Sequence, residues 1–458
     1  MPLQNRQSDF EALRLKFPWF SYDSFQYSFT DEKLEMQFHF SLAGQYTFKP
    51  VMHIPLRPWF TEVCEKNSAW DSLIFHIGLI ELISYWKAAC PPRVIIEPAV
   101  LNPEQINWWK KLYFNGLGEF FHVNGIQASE ENFMQMECSG SQVSFEPLSL
   151  KTHEDGYLVP IGGGKDSAVT LELLKRERFR IIPLIMNPRK ATLDTIKVAG
   201  YSEADSVIIN RTIDPLLLQL NEKGFLNGHT PFSAMLAFYT LVAARLTGIA
   251  NIALSNESSA NESTVAGSSV NHQYSKSFEF EKDFKNYVQA HIGEGYRYFS
   301  FLRPLHEVQI AQIFSSLPAY HQVFRSCNAG SKTDSWCGAC SKCLFAWIIL
   351  EPFIGEKALE EIFGKNLMND PSLLPYVDEL TGQTPTKPFE CVGTISEVNA
   401  SLKAILANHR PPLPSLLKHV SRRLTPGRED LSVLLNDFNE EHFLNAAEVA
   451  ILKKAIQK

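Results

Sequence analysis

Apolar and polar residues alternate in several places between residues 21 and 55, most regularly in Leu34-Glu-Met-Gln-Phe-His-Phe40. Successive strand side chains point to opposite faces, so this spacing predicts two or three antiparallel strands, with a turn at Ala43-Gly44. Residues 69–88 read as a helix stopped by Cys90-Pro91-Pro92, and Val94-Ile95-Ile96 as a short strand. Residues 103–115 read as a second helix, with Pro103 near its start and Gly116 just past its end. An α+β domain is expected over residues 1–150.

From residue 157 the rhythm changes. Strand-like runs at Tyr157–Ile161, Ile181–Met186, Ser206–Asn210 and Ile252–Leu254 alternate with helical segments at Ala168–Lys175 and Phe232–Leu246. Such alternation predicts a parallel sheet that binds its ligands at the carboxyl ends of its strands. This second domain is placed at 151–350. Residues 351–458 are mostly helical in pattern, interrupted by proline-rich stretches at 384–388 and 411–414.

The first strand of the alternating region ends in Gly162-Gly-Gly-Lys-Asp-Ser167. Glycines allow the backbone to approach an anion closely, and the helix that follows aims its positive end at the same point. Lys165 adds a charge and Ser167 a hydroxyl donor, whereas Asp166 would repel a phosphate unless Mg²⁺ lay between them or it fixed the loop. The segment is not G-x-x-x-x-G-K-[ST], because Asp166 follows Gly164-Lys165 and Val159 stands five positions before Gly164. Nor is it G-x-G-x-x-G, because Ser167 takes the place of the last glycine. It resembles the PP-loop of the N-type ATP pyrophosphatases, S-G-G-x-D-S, through Gly163, Gly164, Asp166 and Ser167, while Gly162 departs from the leading serine. That resemblance implies ATP cleavage to AMP and pyrophosphate, with the substrate adenylated. The fold it implies for residues 151–350 is α/β, a central parallel-sheet PP-loop domain of HUP-like, Rossmann type, between the α+β domain and the helical C-terminal region.

Composition narrows the setting. The 458 residues suit two or three domains, and 45% hydrophobic content supports full cores. Forty-three basic and 50 acidic residues give a net charge of −7, which argues against a protein that lives on nucleic acid. No leader-like N-terminal segment and no apolar run of membrane-spanning length is seen, so a cytoplasmic protein with no membrane partner is expected. Of eight cysteines, Cys327, Cys337, Cys340 and Cys343 cluster in two consecutive C-x-x-C steps with a fourth cysteine nearby. Four clustered thiolates suit a tetrahedral structural Zn²⁺, and the spacing fits none of the standard iron–sulfur runs. It resembles the zinc site of the PP-loop enzyme cyano-deazaguanine synthase. Cys64, Cys90, Cys138 and Cys391 are expected to be ordinary core or surface residues.

Three polar segments lie between the two constellations: Asn227–Ser233, Ser255–Glu262 and Val270–Lys276. The first leads into the helix at 232, with a Ser or Thr available as its cap. The second begins at a strand's carboxyl end. Either solvated loops or substrate contacts would look like this. Trp108 and Trp109 could stack an aromatic base or simply pack.

The order of the glycine loop, Asn227-Gly-His-Thr-Pro-Phe232, Ser255-Asn-Glu257, Asn271-His-Gln-Tyr-Ser-Lys276 and the cysteine cluster resembles the MurL-type UDP-N-acetylmuramoyl-L-alanyl-L-glutamate epimerases. Ser84-Tyr-Trp-Lys-Ala-Ala-Cys-Pro91 and Asn115-Gly-Leu-Gly-Glu119 are also similar. The resemblance covers most of residues 20–350. It implies inversion of the terminal L-Glu of UDP-MurNAc-L-Ala-L-Glu to D-Glu for peptidoglycan, with ATP and Mg²⁺ consumed or bound and AMP and pyrophosphate released. Gly162, Gly163, Gly164, Lys165 and Ser167 would bind phosphate, and Asp166 would orient Mg²⁺. Inversion requires an acceptor on one face and a donor on the other. His229 and His272 are the expected pair, since histidine titrates near neutral pH, with Glu257 and Lys276 as reserves. Competing expectations are a PP-loop ligase or amidotransferase, a tRNA-thiolating enzyme, for which only Lys418–Arg423 is locally basic, and a nucleotide sensor.

Overall fold

A computed structural model describes residues 4–60, 66–139, 143–145, 147, 156–265, 267–268, 270–424 and 430–457. Cys64 lies outside them. The chain is mixed α/β, and its contacts divide it into two units interleaved along the sequence: residues 1–158, 207–252 and 274–298, and residues 159–206, 253–273 and 299–458.

Eleven strands occur among the described residues: β1 (Trp19–Phe29), β2 (Lys33–Leu42), β3 (Tyr46–Phe48), β4 (Val51–Pro55), β5 (Arg93–Ile96), β6 (Gln135–Cys138), β7 (Gly156–Pro160), β8 (Arg180–Met186), β9 (Val207–Arg211), β10 (Asn251–Leu254) and β11 (Arg297–Ser300). In the first unit β1, β2 and β4 pair antiparallel, as the alternation predicts, and the turn falls at Ala43-Gly44. The parallel strands β5 and β6 extend that sheet beyond β1. Alternate residues of β2, namely Leu34, Met36, Phe38 and Phe40, are fully buried. The helix Ser68–Trp86 packs on β1 and β2, and its largely apolar sequence buries 17 of its 19 residues.

β9 departs from the sequence-based picture. Expected as one of the parallel strands, on one side it pairs antiparallel with β4, Met52 opposite Arg211 and His53 opposite Asn210. Its Val-Ile-Ile core is buried on both faces, so its pattern suits either direction. The expected parallel pairing is present between β7 and β10, Tyr157 opposite Asn251 and Leu158 opposite Ile252.

In the second unit the Ile161 N–H donates to Leu184 at 2.8 Å, which sets β8 beside the end of β7. The rest of that unit is largely helical, as expected beyond residue 350. The helix Ser341–Ile354 buries 11 of its 14 residues and packs against the helices Glu307–Ser315 and Ile395–Asn408. The helix Glu307–Ser315 also packs on the helix Lys165–Arg176, which follows the glycine loop. Among the described residues no helix is long and apolar enough to cross a membrane.

Candidate active site

In the second unit, β7 runs into the glycine loop and the loop into the helix Lys165–Arg176. Gly164 occupies the N-cap position, and among the described residues no side chain caps it. An uncapped N-terminus presents unsatisfied N–H groups and a partial positive charge. Gly163 has φ +82°, and a Cβ there would lie 3.0 Å from the Ala191 Cβ and 3.1 Å from the backbone of Ala191 and Thr192. Only glycine fits both demands. Two arginines brace the loop: Arg189 donates through Nη2 to the Gly162 carbonyl at 3.2 Å, and the Arg325 N–H donates to the Gly163 carbonyl at 2.7 Å.

Lys165 is turned inward. The residue is 7% exposed, and its ammonium pairs with the carboxylates of Asp166 and Glu307. These two partners outweigh the cost of burial and raise the Lys165 pKa. Glu307 heads its own helix, and burial pushes its carboxyl above the usual carboxylate range against the pull of Lys165, with Asp166 and Glu257 adding repulsion. The Glu307 N–H donates to the fully buried Glu397 carboxylate at 2.5 Å. Glu257 follows the carboxyl end of β10, is 3% exposed, and accepts from the Ser259 hydroxyl at 3.1 Å. Its carbonyl accepts from the buried Arg303 at 2.6 Å. The loop thus adjoins a buried group of three carboxylates and one ammonium.

Two residues beyond Arg325 stands Cys327, the first of four cysteines whose sulfurs all lie within 4.8 Å of one another. Cys327 and Cys340 are 3.7 Å apart, Cys337 and Cys343 3.7 Å, and Cys340 and Cys343 3.5 Å. A tetrahedron with metal–sulfur bonds of ~2.3 Å has sulfurs ~3.8 Å apart, so the four can hold a metal ion. Backbone N–H groups of Gly330 and Ala339 donate to Cys327 and Cys337 at 3.2 and 3.5 Å. The hydrogen bond with Cys327 pushes the Cys340 thiol up to about 12, as expected where crowded sulfurs cannot all ionise without a cation. Cys90, Cys138 and Cys391 lie outside this centre.

The four expected proton-transfer residues divide between the units. Glu257 and His272 belong to the second. The His272 N–H donates to the Thr264 hydroxyl at 3.0 Å, and its ring meets Phe389 edge-on at 6.5 Å. His229 and Lys276 belong to the first. Lys276 ends the short turn Tyr274–Lys276. His229 places Nδ1 3.1 Å from the Glu119 carboxylate, with both side chains partly exposed. Its segment does not cap the following helix through Ser or Thr, as the sequence suggests. Pro231 stands at that N-cap, and the Thr230 hydroxyl is engaged by Lys87. Trp108 and Trp109 pack: Trp109 is fully buried with its indole N–H on the Tyr287 hydroxyl at 2.9 Å, and Trp108 stacks on Tyr287 at 4.1 Å.

Glu119, Glu307, Arg303 and Arg325 were not singled out by sequence as site residues. Glu119 closes one of the N-terminal motifs, which is a usable signal. Nothing local marks Glu307, 142 positions from its partner Lys165.

A family model described as the MurL N-terminal domain matches residues 12–301 of this chain. The chain belongs to the MurL family. A second model, the MurL C-terminal domain, matches residues 323–429. A relative named UDP-N-acetyl-alpha-D-muramoyl-L-alanyl-L-glutamate epimerase, from Salinispora tropica, is 33% identical over 388 residues, 83% of each chain. Proteins of the same name from Xanthomonas oryzae pv. oryzae and a Micromonospora species are 33% and 32% identical, covering 76% and 81% of this chain and 78% and 83% of theirs. The MurL matches span both the loop and the cysteine centre.

Proposed function

We propose that this MurL-family chain epimerises the terminal L-Glu of UDP-MurNAc-L-Ala-L-Glu to D-Glu in the cytoplasm, for peptidoglycan precursor synthesis, and drives the reaction with ATP. The observation that carries this reading is the uncapped helix N-terminus behind Gly162–Gly164, in a chain about one-third identical to named epimerases. A loop of PP-loop type in a HUP-like domain accounts for both.

The chemistry explains why an epimerase needs a phosphate loop. The α-proton beside a carboxylate is very weakly acidic, because its removal puts two negative charges together. Attack of the α-carboxylate oxygen on the α-phosphorus of ATP forms an acyl-adenylate and releases pyrophosphate. The resulting ester-like carbonyl lets a base take the α-proton, and return of a proton to the opposite face inverts the centre. Water then cleaves the acyl-adenylate, giving carboxylate and AMP.

The loop N–H groups and Ser167 receive the departing pyrophosphate. Lys165 neutralises Asp166 and Glu307 so that an anion can approach, and Asp166 would hold Mg²⁺. His229 and His272 serve as proton acceptor and donor, with Glu257 and Lys276 the alternatives. The cysteine centre would hold Zn²⁺ through Cys327, Cys337, Cys340 and Cys343, and it lies two residues from Arg325, whose backbone braces the loop.

The test is incubation with ATP, Mg²⁺ and UDP-MurNAc-L-Ala-L-Glu, followed by AMP measurement and chiral analysis of glutamate after acid hydrolysis. AMP together with D-Glu is the expected result. AMP without D-Glu sinks the epimerase reading and leaves a ligase or thiolating enzyme. Absence of substrate-stimulated AMP sinks both.

A further inference from the structure

Three distant segments of the first unit, none of them part of the phosphate loop, converge on His229. They are the end of the long apolar helix at Lys87, the short helix Gly118–Asn124, and residues 226–231. The Glu119 carboxylate lies 3.1 Å from His229 Nδ1. Asn124 donates through Nδ2 to the Asn227 carbonyl at 3.1 Å. A Cβ on Gly228 would lie 3.1 Å from the Phe120 ring, so the chain beside His229 is pressed on the helix that carries Glu119. Lys87 closes the other side. Its ammonium donates to the Gly228 carbonyl and to the Thr230 hydroxyl, the latter at 2.6 Å. It thereby grips the residues on either side of His229, and the Leu226 N–H donates to the Ala88 carbonyl at 2.9 Å.

We propose, building on the function above, that Lys87 and Glu119 are positioning residues that hold His229 for transfer of the glutamate α-proton. A carboxylate only accepts hydrogen bonds, so Glu119 holds a proton of His229 on Nδ1 and fixes the orientation of the ring. Lys87 is 7% exposed, and burial followed by the nearby Arg211 pushes its pKa down to about 8. A buried ammonium is a costly way to hold a loop. The Glu119 carboxylate offsets a small part of that cost. The two N-terminal motifs, Ser84–Pro91 and Asn115–Glu119, thereby acquire a common purpose.

The experiment compares Lys87→Met and Glu119→Gln with the wild-type protein in two assays: pyrophosphate release and D-Glu formation, both with ATP, Mg²⁺ and UDP-MurNAc-L-Ala-L-Glu. A positioning role predicts pyrophosphate release within about threefold of wild type and D-Glu formation down roughly 100-fold, since misplacing a reacting group by ~1 Å costs about that much. Ethylamine is expected to restore part of the D-Glu rate in Lys87→Ala and none in Glu119→Gln. Equal loss of pyrophosphate and D-Glu in correctly folded variants, or D-Glu formation within threefold of wild type, overturns the proposal. If Lys87→Met does not fold, Glu119→Gln, which keeps the side chain's shape, decides alone. A wild-type protein that makes no D-Glu would instead count against the function on which the proposal rests.

Discussion

The phosphate loop and the His229 cradle solve the same problem, holding a reactive geometry, by opposite means. The loop is contiguous: strand, three glycines and helix deliver their N–H groups within six residues, and the nearby ammonium of Lys165 is buried among carboxylates. The cradle is assembled from three separate segments carrying residues 87, 119 and 124, and 227–230, and its histidine stays partly exposed. A loop that binds a fixed anion gains from rigid backbone. A histidine that must take a proton has to stay accessible and is steadied by its neighbours. The difference assigns carboxylate activation to one region and proton transfer to the other.

The strongest challenge to the loop half is Lys165→Met. Removing one partner of a buried pair leaves Glu307 uncompensated, and about 3–5 kcal/mol of stability should be lost in urea titration. Lys165→Met combined with Glu307→Leu should recover most of it. A loss below ~1 kcal/mol in the single variant would mean that the pair does not organise the loop.

The helix that delivers Lys87 offers a test of the other half. His76 on that helix is buried, with Nδ1 2.7 Å from the Ser72 carbonyl and Nε2 3.1 Å from the Tyr287 hydroxyl. Burial lowers its pKa from 6.5 to about 4. Between those values the unfolded chain binds a proton that the folded chain refuses. Stability is therefore complete above pH 6.5 and declines as pH falls toward 4, by about 3 kcal/mol from this group. His76→Gln should flatten that part of the profile relative to wild type. An unchanged slope would show that His76 is not the group responsible.

Gly163→Val sharpens the contrast at the level of activity. The left-handed backbone and the contact with Ala191 exclude a branched side chain. Substrate-stimulated pyrophosphate release should fall roughly 100-fold, and D-Glu formation should fall with it, because inversion follows activation. Pyrophosphate release near the wild-type rate would remove the loop from the activation step.

The sequence announced the contiguous parts and hid the assembled ones. Gly162–Ser167 and Cys337–Cys343 carry their chemistry in unbroken runs, so spacing alone pointed to an anion and to a metal. The antiparallel strands β1, β2 and β4 were legible because one buried face enforces strict alternation. The partner of β9 was not, because Val207-Ile-Ile209 is buried throughout and carries no alternation to fix its neighbour or direction. Thr230 looked like a helix cap until Lys87 was seen to claim its hydroxyl. Glu307 lies in no motif the sequence offers, and Glu119 closes one whose purpose the sequence leaves open. Their partners, Lys165 and His229, are more than a hundred positions away, and only folding reveals them.

The central claim is that activation and inversion belong to different residues, and His229→Ala tests it most directly. With ATP, Mg²⁺ and UDP-MurNAc-L-Ala-L-Glu, pyrophosphate release should stay within about threefold of wild type while D-Glu formation drops at least ~100-fold, the usual contribution of a general acid–base group. Undiminished D-Glu formation, or a parallel fall in pyrophosphate release, would contradict it.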